Sequence, residues 1–237
     1  MEDKLTDLNN FQDDDLDYDV VIVGAGISGL YQLYRLRESG FRVAILERGT
    51  GVGGTWYWNR YPGARFDSES YSYAYSFSDE LLQEWNWSEH FASQPEILRY
   101  LEHVADKFDL LKDIHFSSEV AMASFDESRS CWVIKLDNGP TFTSRLFVTA
   151  VGVLSEPTYP NIEGIDLFRG DYFHTARWPK SPVQLAGKDV AVVGTGASGV
   201  QTIQEIAPVV KNLTVFQRRP NWCAPLNNGP IKPDEMP

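Results

Sequence analysis

Two stretches of this chain carry the same order of apolar and polar positions. Asp19-Val20-Val21-Ile22-Val23-Gly24-Ala25-Gly26-Ile27-Ser28-Gly29 and Asp189-Val190-Ala191-Val192-Val193-Gly194-Thr195-Gly196-Ala197-Ser198-Gly199 align residue by residue at a constant offset of 170. Each is a β-branched apolar run ending in Gly-x-Gly-x-x-Gly, which predicts a buried parallel strand, a tight turn and a helix. After the first copy, Leu30, Leu33, Tyr34 and Leu36 supply a helical face, Gly40 a left-handed stop, and residues 42–47 the next strand. After the second, Val200, Ile203 and Ile206 precede Pro208, and residues 213–216 read as the next strand.

The pattern changes between the copies. Nine of the 22 residues from Trp56 to Phe77 are aromatic, introduced by Gly51, Gly53 and Gly54 and interrupted by the charged Arg65 and Asp67. A ring-rich stretch can simply be core; with close-approach glycines and a charged pair it reads as a wall against a flat conjugated ring. Ser93-Gln94-Pro95-Glu96 forms a capping-box pattern before Ile97, Leu98, Leu101, Val104, Ala105 and Phe108 at helical spacing. Residues 114–149 alternate in short strands around the turn Asp137-Asn138-Gly139, a small antiparallel insertion, and residues 147–152 return to the parallel sheet.

The expected fold is α/β: two Rossmann-like dinucleotide-binding units with a small antiparallel β insertion, both units incomplete. The expected division is an acidic disordered tail (1–18), a first dinucleotide domain (19–155), a linker (156–186) and the first half of a second (187–237).

The first glycine of such a turn permits the tight bend, the second lets the backbone approach a pyrophosphate, and the third allows close helix packing. The phosphates then meet the helix N-terminus. The residue ending the second strand distinguishes the copies. Glu47, 18 positions beyond Gly29, can accept ribose hydroxyls, whereas its counterpart Gln217 is followed by Arg218 and Arg219. A carboxylate repels a 2′-phosphate and guanidiniums bind one, so the first site is expected to hold an adenine dinucleotide with a free ribose, as in FAD, and the second to prefer NADPH over NADH.

Composition narrows the field further. The formal charge is −12, but residues 1–19 hold eight carboxylates against Lys4, and the body has no basic stripe for nucleic acid. No apolar run reaches the ~18 residues of a membrane helix. Two cysteines and an N-terminus unlike a secretory signal give an intracellular, cytoplasmic expectation. No metal site is expected, and the absence of a Cys-x-x-Cys pair argues against disulfide reduction.

Between the two turns, Phe168-Arg169-Gly170-Asp171-Tyr172-Phe173-His174-Thr175-Ala176-Arg177-Trp178-Pro179 resembles the FxGxxxHxxxWP fingerprint of type I Baeyer–Villiger monooxygenases. Trp178 and Pro179 favour that ketone-oxidising branch over relatives that oxidise nitrogen or sulfur. The resemblance implies an enzyme in which NADPH reduces FAD, O2 adds to give a peroxyflavin, and one oxygen atom enters beside a ketone carbonyl to give an ester or lactone. It assigns Gly24, Gly26, Gly29 and Glu47 to the FAD adenosine-diphosphate site, with Val120 near the adenine. Thr55, Trp56, Tyr57, Trp58, Phe66, Asp67, Ser68 and Tyr73 fall on the flavin side. Gly194, Thr195, Gly196, Ala197, Ser198, Gly199, Val200, Gln201, Arg218 and Arg219 fall to NADP, and Arg65 to Asp67 lie where nicotinamide meets flavin. Asp67 is implied to orient a catalytic arginine, and His174 to belong to the connection that moves the NADP domain.

In that family the arginine and most of the substrate pocket lie beyond the second turn. The implied partners are therefore a small ketone, O2, and a C-terminal segment or complementing chain; a non-catalytic homologue is the other reading. The isolated chain is expected to expose apolar sheet and to purify poorly or colourless.

Overall fold

The first apolar run forms β1 (Tyr18–Val23), whose Val20, Val21 and Ile22 are fully buried, and the glycine turn leads directly into α1 (Ile27–Glu38). A return through Gly40, at φ 83°, brings in β2 (Val43–Leu46), parallel to β1 with Val20 opposite Val43 and Val23 opposite Leu46. The computed structural model describes residues 15–232. By packing they form two compact units: one of the residues up to Gly54 with Glu102–Val153, the other of Thr55–Leu101 with the residues from Leu154 onward.

In the first unit, β3 (Ile114–His115), β4 (Val120–Asp126), β5 (Cys131–Leu136) and β6 (Thr141–Thr149) complete one six-stranded sheet of order β3-β2-β1-β6-β5-β4. The antiparallel insertion is part of this sheet. Residues expected to form two strands are a single β6, which pairs antiparallel with β5 up to Ser144 and parallel with β1 from Ser144 onward. Ser144 is fully buried at that junction, and its hydroxyl is satisfied by Leu146 O at 2.9 Å. One apolar cluster (Val21, Leu46, Ile134 and Leu136, flanked by Val120 and Trp132) joins the parallel and antiparallel parts. Leu30 and Leu33 of α1 are buried, and Tyr34 meets Phe108 edge-on at 5.0 Å.

Most of the expected acidic tail, residues 1–14, lies outside the described residues, and Leu16 and Asp17 are packed. Leu16 is buried, and the Asp17 carboxylate accepts from the Thr143 N–H and hydroxyl, each at 2.8 Å. Apolar burial and a satisfied carboxylate outweigh the local acidity here.

The second unit contains α2 (Thr55–Trp58), α3 (Asp79–Glu84), the start of α4 (Gln94–Lys107), β7 (Asp189–Val193), α5 (Ala197–Ile206) and β8 (Asn212–Phe216). β7 and β8 pair in parallel with Val190 opposite Leu213 and Val193 opposite Phe216, the register of β1 and β2 shifted by 170. These two strands make a sheet by themselves among the described residues, and Val193 and Phe216 stay 64% and 56% exposed.

Glu96 does not complete the expected capping box. Its buried carboxylate accepts from the Ser88 N–H at 2.8 Å and from the Ser88 hydroxyl at 2.6 Å. One turn on, Tyr100 accepts the Tyr75 N–H at 2.8 Å and packs edge-on against Trp85 at 5.3 Å. Burial pushes its hydroxyl up from 10.0 to about 12. A raised folded-state value means its contribution is complete below pH 10 and is lost as pH rises through about 12. Tyr100→Phe is expected to cost about 1 kcal/mol at pH 7, since the Tyr75 N–H loses its acceptor, and to reduce the alkaline loss. Thermal midpoints at pH 7 and pH 11 check both effects.

Candidate functional site

The two glycine turns agree down to individual hydrogen bonds. Gly24 N–H donates to Leu46 O at 2.9 Å and Gly194 N–H to Phe216 O at 2.8 Å; Leu30 N–H reaches Gly26 O and Val200 N–H reaches Gly196 O, both at 3.0 Å. Gly24 and Gly194 have φ of 102° and 103°, which a side chain would strain. A Cβ on Gly29 would lie 1.9 Å from Gly24 O, and one on Gly199 2.5 Å from Gly194 O. The third glycine therefore lets each helix begin against its own turn. No side chain caps Gly26 or Gly196, so the positive helix end and its amides face the turn unscreened by a capping oxygen.

The surroundings of the turns differ. A Cβ on Gly24 would fall 2.6 Å from Ala150 O, and one on Gly26 would touch Gly54 Cα at 3.4 Å. The first cradle is hemmed in by its own chain. A Cβ on Gly194 or Gly196 would meet nothing within 4 Å. At Gly196, φ −70° and ψ 175° suit any residue, so neither crowding by this chain nor backbone strain calls for glycine there. An open, uncapped helix N-terminus whose cradle a Cβ would fill fits a pyrophosphate.

The strand-end residues also part company. Glu47 is buried, and its carboxylate accepts from the Ala25 N–H and the Gly49 N–H, each at 2.7 Å. It thereby fixes the glycine turn itself, while each oxygen keeps a second lone pair for a ribose hydroxyl. Ser118 N–H donates to Glu47 O at 2.9 Å, which brings the strand carrying Val120 alongside. In the second copy Gln217 is exposed and its Oε1 accepts from the Thr195 hydroxyl at 3.2 Å. Arg218 and Arg219 are exposed beside it, and the Arg219 carbonyl accepts from the same hydroxyl at 3.5 Å.

In the aromatic segment, Trp56 is buried, donates from Nε1 to Tyr73 Oη at 2.8 Å and meets Phe66 edge-on at 6.0 Å. Burial raises the Tyr73 hydroxyl, against the opposing bond from Trp56. The fingerprint packs against this segment: Arg177 lies over the Trp58 ring at 5.3 Å, and Lys180, just past Pro179, donates to Tyr57 Oη at 2.8 Å. His174 accepts the Ala176 N–H through Nδ1 at 3.1 Å and so caps the turn that carries Arg177. Thr55, Asp67 and Ser68 are exposed.

Arg65 pairs with Glu89 at 3.2 Å, while the nearby Asp67 carboxylate accepts from Gln201 Nε2 at 2.7 Å. Gln201, expected at the nucleotide, turns its side chain into residues 61–67 because Tyr61, Arg65 and Asp67 together satisfy its buried amide. Sequence reading missed Glu89, Asn228 and Lys180. Asn228 donates to Glu89 Oε2 at 2.7 Å, from a stretch that reads as plain loop, and no local pattern marks it. Among the described residues no cluster of His, Cys, Asp and Glu is arranged to hold a metal ion. None of the helices is long and apolar enough to cross a membrane, again among the described residues.

A family model described as pyridine nucleotide-disulphide oxidoreductase matches residues 21–234. The 2-oxo-Delta(3)-4,5,5-trimethylcyclopentenylacetyl-CoA monooxygenase of Pseudomonas putida is 46% identical over 224 residues, 92% of this chain and 41% of its own. A Baeyer-Villiger monooxygenase of Pseudooceanicola batsensis is 45% identical over 215 residues, 90% of this chain and 39% of its own. The phenazine N-monooxygenase PhzNO1 of Lysobacter antibioticus is 44% identical over 209 residues, 88% of this chain and 38% of its own. A crystal structure of OTEMO in complex with FAD and NADP superposes with a TM-score of 0.89 at 46% identity, covering 94% of this chain and 43% of that one. The chain thus spans 38–41% of the length of these curated relatives. With both glycine turns inside the matched region, the chain belongs to the pyridine nucleotide-disulphide oxidoreductase family.

Proposed function

We propose that this chain holds FAD at its first glycine turn and NADPH at its second, and serves an FAD-dependent monooxygenase that inserts one oxygen atom of O2 beside a ketone carbonyl, giving an ester or lactone. The observation that carries the reading is the divergence of two otherwise equivalent turns. One is closed by the Glu47 carboxylate, and the other opens toward Arg218 and Arg219, with the Phe168–Pro179 fingerprint on the same chain. Bound FAD supplies the electron transfer and oxygen chemistry. The chain's own part is to bind and orient. The amides at Gly26 and Gly196 face the two pyrophosphates, Glu47 takes the FAD ribose, and Arg218 and Arg219 take the 2′-phosphate. Trp56, Phe66 and Tyr73 form the aromatic wall on the flavin side, and Asp67 presents a carboxylate there. Nitrogen oxidation is the second reading, favoured by the similarity to the phenazine N-monooxygenase.

Incubation of the chain with FAD, NADPH, O2 and either cyclohexanone or a heteroaromatic amine, with products identified by mass spectrometry, separates the two readings. A lactone supports ketone oxidation and an N-oxide alone overturns it. Arg218→Ala is expected to weaken NADPH binding about 10- to 100-fold, the loss of a charge-assisted bond, and to leave NADH within about 3-fold. Equal losses for both nucleotides in a fluorescence titration contradict the assignment of the 2′-phosphate. Glu47→Ala removes two anchors of the first turn and is expected to lower stability to urea by about 3 kcal/mol and to weaken FAD binding. A change below about 1 kcal/mol contradicts that anchoring role.

A further inference from the structure

Gln201 is 6% exposed, and every hydrogen-bonding position of its side-chain amide is used. Its Oε1 accepts from the Tyr61 hydroxyl at 2.8 Å and the Arg65 N–H at 3.4 Å; its Nε2 donates to Arg65 O at 3.1 Å and Asp67 Oδ1 at 2.7 Å. Two donors and two acceptors are all that an amide offers. Every partner lies between residues 61 and 67, although Gln201 itself sits in the first turns of α5. The backbone is shaped to match. Gly63, at φ 80°, packs so closely on the helix that a Cβ there would stand 2.6 Å from Gln201 O and 2.6 Å from Glu205 Cγ. Burial raises the Tyr61 hydroxyl, with the Ser198 side chain one turn earlier acting the other way.

We propose that Gln201 is a positioning residue: its amide makes the loop from Tyr61 to Asp67 an extension of α5, so that occupancy of the cradle at Gly194–Gly199 and the placement of the Asp67 carboxylate are coupled. This rests on the reading of that cradle as the NADP site and assigns Gln201 a task other than touching the nucleotide. Tyr61 supports the same junction, but it is Gln201 that grips both the Arg65 backbone and Asp67.

Residue-resolved amide hydrogen exchange on the full chain tests it, because the Arg65 N–H is held by Gln201 whereas the Phe66 N–H is held by Ala92 O at 3.2 Å. In Gln201→Met, which keeps the volume, Arg65 exchange is expected to speed up about 10-fold or more, with Phe66 changing by less than about 3-fold. Added NADP+ is expected to slow Arg65 exchange about 3-fold or more in the parent chain. In the variant NADP+ still protects residues 196–200 but no longer affects Arg65. Should Gln201→Met fail to fold, Gln201→Glu keeps the acceptor bonds, loses the donor bonds and sets an anion beside Asp67; it too is expected to abolish the NADP+ response at Arg65. An unchanged response at Arg65 overturns the coupling. A loss of NADP+ affinity as large as that of Arg218→Ala also overturns it, since Gln201 would then be a nucleotide contact. If NADP+ does not bind the parent chain, the NADP reading falls instead, and the ligand-free comparison of Arg65 with Phe66 still decides whether the clamp exists.

Discussion

The contact between the third glycine of each turn and the carbonyl of the first governs the rest of this structure. With a Cβ at Gly29 or Gly199 pointing 1.9 Å or 2.5 Å from a backbone oxygen, no other residue lets the helix start so close to the end of its strand. That close start places the helix N-terminus at the carboxyl edge of a parallel strand pair, where both β1–β2 and β7–β8 present the next strand's terminal residue. The helix N-terminus and the strand-end side chain proposed to select its ligand therefore come from one packing constraint, used twice.

The neighbours of each turn differentiate the copies. Around the first, β3 and β6 flank the strand pair, Ala150 and Gly54 crowd the glycines, and Glu47 ties the turn to its own backbone. Around the second, the two strands stand as a pair among the described residues, and Gly194 and Gly196 face open space. The second helix instead spends its polar face on the aromatic segment, through an amide that has no equivalent in the first copy. The position matching Gln201 there is Tyr31, which is 37% exposed. Repetition explains the two cradles, and departure from repetition marks the residue that connects one of them to Asp67.

Much of this was legible in the sequence because its signals are local. The glycine spacing, the β-branched runs and the constant offset of 170 fix the strands, turns and helices of both copies. The identities of Glu47, Arg218 and Arg219 fix the ligand preference proposed for each. The misreadings involve partners distant in sequence. Glu96 looks like half of a capping box, yet Ser88 offers it two donors. Residues 141–149 read as two strands because the change of pairing partner at Ser144 leaves no local trace. Arg65 and Asp67 read as charges in need of partners, but nothing local names Glu89 and Gln201 as those partners, the latter more than a hundred positions away. Comparing Tyr31 with Gln201 across the repeat was the one signal that could have exposed the clamp.

If the second cradle is bare because a ligand, not the protein, occupies the space at Gly196, then a methyl group placed there should harm binding and spare the fold. Titration of Gly196→Ala with NADP+ and FAD, alongside its thermal midpoint, tests this directly. Since the added Cβ meets no protein atom within 4 Å, the variant is expected to melt with the parent. It should lose about 10-fold or more in NADP+ affinity, the cost of forcing a methyl against the bound pyrophosphate, and keep its affinity for FAD. Unchanged NADP+ binding, or an equal loss of both ligands, would contradict it.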